Sequence, residues 1–240
     1  MTATATIRRP DADGASRRRT APDEVPFGFD EIFFSRTDPR GVIQSGNEVF
    51  QRVSGFDWDR LIGAPHKVVR DPATPKGVFH LMWERIKAGQ PTGAYVRNRS
   101  ADGRHYWVFA LISPIEDGFL SVRIKPGSET FDSAVDLYAE LCAAEAGGRS
   151  PADSAAALVA RLRAMGHADY DSFQSAAFTA ETAVRLRARA RKPRIRDAQF
   201  AEMTRAATEI ERLSATMMTT FAGNRTIPLN LRVLSSRLGD

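Results

Sequence analysis

The side chain that asks most of its surroundings is Asn98, in the run GAYVRNRS at residues 93–100. Strand alternation places Ala94, Val96, Asn98 and Ser100 on one face and Tyr95, Arg97 and Arg99 on the other. The face with Ala94 and Val96 is expected to be the buried one, so Asn98 points an amide inward. Left unpaired, such a group costs ~1–3 kcal/mol. It therefore needs either neighbouring side chains or water, or a bound ligand with polar edges. Arg70 raises a similar question, standing between Val68–Val69 and Pro72 and close in sequence to Trp83. On the surface it does nothing; leaning into a cleft beside an aromatic, it suits a phosphate or a conjugated ring.

Other reactive residue types form no constellation. The four histidines, His66, His80, His105 and His167, show no metal-ligand spacing. Cys142 is the single cysteine, which excludes an intramolecular disulfide and a cysteine-rich metal site and fits a reducing compartment. There is no nucleophile–base pair, phosphate loop or HExxH motif, so neither catalysis nor a metal centre is expected.

Positioning these residues falls to a mixed set of elements. EIFFSRT and VIQSG read as short strands around the turn DPRG. NEVFQRVSG is a short helix capped by Asn47 and stopped by Gly55. GAPHKVVRDPATP, with its three prolines, is neither a long helix nor a central strand, and its shape implies a pocket. PKGVFHLMWERIKAG is an amphipathic helix with Phe79, Met82, Trp83 and Ile86 on one face and His80, Glu84 and Lys87 on the other. Three strand-like runs follow, GAYVRNRS, RHYWVFALISPI and GFLSVRIKP.

From about Glu129 the texture is helical. Phe131, Val135, Tyr138 and Leu141 mark one helix; Ser150, Pro151 and Asp153 open a second; a third runs from about Asp169 to Lys192. A fourth carries Phe200, Met203, Ala207, Ile210, Leu213, Met217 and Phe221 at threes and fours, the seam of a helix that packs on another helix, and Ile227, Leu231, Leu234 and Leu238 repeat it. The predicted organisation is a disordered basic tail over 1–25, a folded α+β unit over 26–127, a helical linker or bundle over 128–192 and a helical signalling or oligomerisation segment over 193–240.

Charge excludes less than it first suggests. The net charge of +5 is exceeded by one run, Arg185 to Arg196, that contains no acid. Arginines two apart on a helix face nearly opposite ways, and no aromatic is interleaved to stack on a base. A solvated helix end is expected there, not a nucleic-acid surface, whose mark would be steeply salt-dependent binding. Nothing approaches the ~18 consecutive apolar residues of a membrane span, so a cytoplasmic protein is expected.

Taken together, TDPRGVIQSGNEVFQRVSGFDWDRLIGAPHKVVRDP, LMWERIKAGQP, VRNRSADGRHYWV and LISPI resemble the sensory PAS domain of the aerotaxis-receptor type, across roughly residues 30 to 126. The resemblance implies a PAS fold: a five-stranded antiparallel sheet covered on one face by short helices. It also implies flavin adenine dinucleotide (FAD) in the cleft between them, with the oxidation state of the flavin as the signal. By motif, Asn47, Arg70, Phe79, Trp83 and Asn98 fall in or near that pocket, and His66 stands in the adjoining Pro-His pair. An isoalloxazine ring would offer donors and acceptors to a buried amide and a flat apolar body to Phe and Trp.

The chain departs from the family at three positions. Arg70-Asp71-Pro72-Ala73 stands where the family reads Arg-His-Pro-Asp, and Thr92 stands where a tryptophan follows GQP. Photo-adduct chemistry would need a cysteine beside the ring, and Cys142 lies outside the domain. Haem would need an axial ligand; His80 is on a polar face, while His66 and His105 remain open. NRTIPLNLRVLSSRLGD is weakly similar to the helical signalling segment of chemoreceptors, which implies a signalling partner and a possible homodimer. The alternative is a cofactor-free PAS module that binds a protein, or itself, through the sheet and the C-terminal helices.

Overall fold

The computed structural model describes residues 23–189 and 195–224 of the 240-residue chain. Two compact units divide it, the first ending at Lys192 and the second beginning at Pro193. The first is built on a five-stranded antiparallel sheet of β1 (Phe33–Thr37), β2 (Ile43–Gly46), β3 (Thr92–Arg99), β4 (His105–Ile115) and β5 (Gly118–Ile124), in the order β2-β1-β5-β4-β3. Its register pairs Ala94 with Ala110, Asn98 with Tyr106, and Arg123 with both Ala110 and Phe33. Directly opposed residues share a face, so Asn98, Ala110 and Arg123 look toward the same side of the sheet.

That inner side is covered by α1 (Glu48–Ser54), α2 (Trp58–Leu61), a 3₁₀ turn at His66–Val69 and α3 (Lys76–Lys87). Gly55 ends α1 at φ 69°, a left-handed conformation that glycine adopts without strain. The proline-broken segment crosses the inner face from one sheet edge to the other. At its start Val42 bridges Pro65 and His66 N–H donates to Gly41 O at 2.8 Å, beside β2. At its end Arg70 bridges Asn98, and Thr74 Oγ1 accepts from Arg97 N–H at 2.8 Å, on β3. Its irregularity is thus the shape of a strap tied at both edges.

The outer side is covered too, by α4 (Glu129–Ala146) and α6 (Tyr170–Ala188), while α5 (Pro151–Ala164) packs against α3 and α4. This corrects the expectation that Tyr95 and its companions face solvent. Tyr95 is fully buried, in edge or tilted contact with Phe109, Phe131 and Phe173, and Trp107 meets Phe131 at 5.4 Å. A sheet that bears Tyr95, Trp107 and Phe109 on its second face needs this cover; of the three residues expected outward, only Arg99 is exposed. Side chains also satisfy the free edge of β3. Gln174 Oε1 accepts from Gly93 N–H at 2.8 Å, and Tyr170 and Tyr138 hydroxyls donate to the Gly93 and Tyr95 carbonyls.

Helix starts follow the sequence rules. Ser128, Ser150 and Asp169 cap α4, α5 and α6, with Pro151 in the first turn of α5. Two expectations for charged segments change. Residues 23–25 belong to the fold, since Val25 is buried and its N–H donates to His105 O at 2.7 Å; residues 1–22 lie outside the described residues. Arg185, first of the arginine run, donates to the Asp30 and Glu31 carbonyls, whereas Arg187 and Arg189 are exposed as expected.

The second unit contains α7 (Ile195–Asn224). Met203, Ile210, Leu213 and Met217, part of the predicted seam, are exposed on it. The repeat at Ile227 to Leu238 and, after its first residue Asn224, the chemoreceptor-like stretch lie outside the described residues. No helix among the described residues is long and apolar enough to cross a membrane.

Candidate ligand-binding site

Between α3 and the inner face of the sheet lies a cavity of about 270 Å³. One wall is α3, which turns Phe79, Met82, Trp83 and Ile86 inward at helical spacing. The opposite wall is the sheet, whose alternation brings Val96 and Asn98 from β3, Ala110 and Ile112 from β4, and Phe119, Ser121 and Arg123 from β5. Pro65, His66 and Arg70 of the strap close a third side, while exposed Arg40 and Lys67 line the rim. Gly41 is required at its place: its φ is 79°, and a Cβ there would sit 3.0 Å from the Trp83 ring.

The predicted residues His66, Arg70, Phe79, Trp83 and Asn98 converge on this cavity. Asn98 is 3% exposed, and its side-chain amide has no protein hydrogen-bond partner among the described residues. Arg70 lies over the Phe79 ring, Cζ at 3.7 Å from its centroid, and Trp83 meets Phe119 edge-on at 5.6 Å. Burial lowers the Arg70 pKa, with Glu145 pulling the other way. Asn47 does not join them. Its amide donates to Ile32 O and accepts from Phe34 and Phe50 N–H, so it caps α1 and fastens that helix to β1.

The three positions that depart from the family pattern also lie off the cavity lining. Asp71 is buried against Arg97, Nε to Oδ1 3.6 Å, and accepts from Ala73 N–H. Thr92 Oγ1 accepts from Arg85 Nε at 2.8 Å.

Sequence reasoning missed Arg123. It is 4% exposed, and its guanidinium donates to Ser35 Oγ at 3.0 Å and to His66 Nε2 at 2.6 Å. Burial lowers its pKa to about 10. Burial, then the neighbouring Arg123 charge, pulls the His66 pKa down to about 3, so the ring is neutral. The signal was present in GFLSVRIKP, where period-two spacing groups Arg123 with Phe119 and Ser121. The Ser121 and Tyr106 hydroxyls are buried with no hydrogen-bond partner among the described residues.

Two contacts tie the cavity walls to the later helices. The backbone N–H groups of Lys76 and Gly77, at the start of α3, donate to the Glu145 carboxylate of α4 at 2.8 Å each. A Cβ on Gly77 would fall 2.6 Å from the Ala155 backbone nitrogen, so α3 and α5 touch main chain to main chain. Behind the sheet, the Glu181 carboxylate of α6 accepts from Tyr95 Oη at 2.8 Å, Gly127 N–H at 2.7 Å and Ser128 Oγ at 2.5 Å. Burial raises the Glu181 pKa against the pull of these donors.

Comparison with known proteins gives a family match over part of the chain. Residues 44–121 match the family described as the PAS fold. The aerotaxis receptor of Escherichia coli (strain K12) is 35% identical over 122 residues, which are 49% of this chain and 24% of that receptor. The bacterioopsin transcriptional activator of Halobacterium salinarum is 32% identical over 106 residues, 43% of this chain and 15% of that protein. Among solved structures, the PAS domain of a Colwellia psychrerythraea protein aligns with 23% identity and a TM-score of 0.34, over 39% of this chain and 85% of that one. The chain spans about a quarter or less of the length of the two curated relatives. Residues 44–121 of this chain thus carry the match to the PAS fold, and the chain is similar in sequence to the aerotaxis receptor.

Proposed function

We propose that this chain is a cytoplasmic PAS sensor whose cavity holds a flavin, FAD, and whose helices pass the redox state of that group to a signalling partner. The observation that carries the reading is the pairing of flat apolar walls, Phe79, Trp83 and Phe119, with an inward amide, Asn98, that has no side-chain hydrogen bond among the described residues. Ligand pockets typically enclose roughly 300–1,000 Å³, so a cavity of about 270 Å³ suits a ring system better than a whole dinucleotide. Arg40 and Lys67 at the rim suit the phosphates that would remain outside.

When bound, a flavin supplies reversible electron uptake that changes the charge and protonation of its ring. Asn98 has both a donor and an acceptor to offer the ring edge, and Phe79 and Trp83 exclude water from its faces. A change in the bond to Asn98 would act directly on β3, whose outer side chain Tyr95 is held by Glu181 of α6. A shift of α3 would act on α4 and α5 through Glu145 and Gly77. The ring biases the helices only by the difference in its interaction with their two arrangements. Quenching of FAD fluorescence on titration with the protein tests the reading. Asn98→Ala and Trp83→Ala are each expected to weaken binding by roughly tenfold, the equivalent of about 1.4 kcal/mol; undiminished binding in both variants would place the ring elsewhere.

A further inference from the structure

We propose that the cavity end formed by β1, β5 and the strap is an anion subsite, where Arg123 supplies the charge and His66 and Ser121 hold the geometry, and that it selects a planar ligand bearing one delocalised negative charge. The flavin reading above supplies the ligand chosen as probe; the subsite itself stands on the protein's own atoms.

Arg123 projects from the cavity side of β5 and is 4% exposed. Its acceptors among the described residues are all neutral: Ser35 Oγ at 3.0 Å, the Ser121 carbonyl at 3.4 Å and His66 Nε2 at 2.6 Å. Because a guanidinium only donates, His66 accepts through Nε2 and keeps its proton on Nδ1. It therefore orients the cation without offsetting its charge. Phe50 and Phe33 lie 5.5 and 5.9 Å from the Arg123 carbon, distances at which ring faces ease a cation but do not neutralise it. His66 and Tyr106 are the titratable groups that face Arg123, and no carboxylate pairs with it among the described residues.

A buried charge without a counter-ion is among the most costly arrangements a fold retains, and an apolar side chain would fit against Phe33 and Phe50 at less cost. The cavity that Arg123 lines gives the missing charge room to enter. Three features narrow its chemistry. Arg123 has already committed donors to Ser35, Ser121 and His66, which leaves two of its five N–H groups, enough for one edge of a ligand. The Ser121 hydroxyl beside it has no partner among the described residues and can serve one ring heteroatom. Much of the remaining wall is apolar, from Phe79, Met82, Trp83, Ile86 and Phe119, which suits a charge carried on a ring. For a flavin the fit is to the reduced form: two electrons and one proton turn the neutral ring into a monoanion, and Arg123 favours that species over the neutral one.

Two measurements test this. First, thermal unfolding of ligand-stripped protein: Arg123→Met is expected to raise Tm above wild type, because it removes an uncompensated charge, and Arg123→Lys to leave it near wild type. A lower Tm for Arg123→Met, or its failure to fold, would make Arg123 a structural bond-maker and overturn the proposal. Second, equilibrium binding of riboflavin, oxidised and then reduced with dithionite under argon. Wild type is expected to hold the reduced form roughly tenfold more tightly or better, Arg123→Lys to keep that preference and Arg123→Met to lose it. Riboflavin binding whose redox preference Arg123→Met leaves intact overturns the subsite but not the flavin reading. Wild type that binds no riboflavin in either form sinks the flavin reading, and the Tm comparison then decides the subsite alone.

Discussion

Desolvation governs the inner end of the cavity, and His66 registers it. The ring stacks on Phe50 and accepts from Arg123, and its pKa falls from 6.5 to about 3 through burial and that neighbouring charge. As pH falls, the unfolded chain takes up a proton at His66 near pH 6.5, while the folded chain does not until about pH 3. This residue therefore subtracts stability progressively across that interval. Urea midpoints measured at pH 7 and pH 5 should fall further for wild type than for His66→Gln; equal falls would mean that His66 titrates as if in water. Asn98 was legible from alternation, and Arg70, Phe79 and Trp83 from motif. Arg123 was not, because an arginine in a strand reads by default as an outward residue. Asn47 misled in the other direction, since a good cap and a good ligand-binding amide are the same side chain, and here the cap uses its hydrogen-bonding capacity.

The joint between sheet and helices depends on one carboxylate. Glu181 gathers the Tyr95 hydroxyl from β3 and the Gly127 and Ser128 donors from the β5–α4 junction, and it is fully buried. Glu181→Ala would strand these donors away from water at about 1–3 kcal/mol each. A loss of about 3 kcal/mol or more is expected in denaturant unfolding; a loss below about 1 kcal/mol would mean that water replaces the carboxylate. Strands, caps and the α3 face could all be read from the chain, because period and punctuation are local properties. The covering of the outer face could not be read from β3 alone, where Arg97 and Arg99 suggested solvent. The unbroken apolar run YWVFALI in β4 carried the better signal, since a strand with no polar alternation is buried on both faces. Likewise, the pairing of Glu145 with the start of α3 spans far too much chain for a sequence pattern to reveal.

The compact unit that contains the PAS domain runs on through α6, beyond the expected domain end at residue 127. Tyr95 is buried against α4 and α6, and Trp107 against α4. A chain of residues 23–127 is therefore expected to aggregate or melt without cooperativity, whereas residues 23–192 should unfold in a single transition. Cooperative unfolding of the shorter chain at the same temperature would show the helices to be an independent appendage. That arrangement is what gives the cavity its proposed purpose, because α3 and β3, its two walls, are each held by the helices that would carry the output. Whether a ring occupies the cavity decides the whole account, and the visible absorption spectrum of freshly isolated protein reads it directly. The account predicts a yellow protein with a flavin spectrum that bleaches on reduction with dithionite. A colourless protein that takes up no FAD on mixing would contradict it.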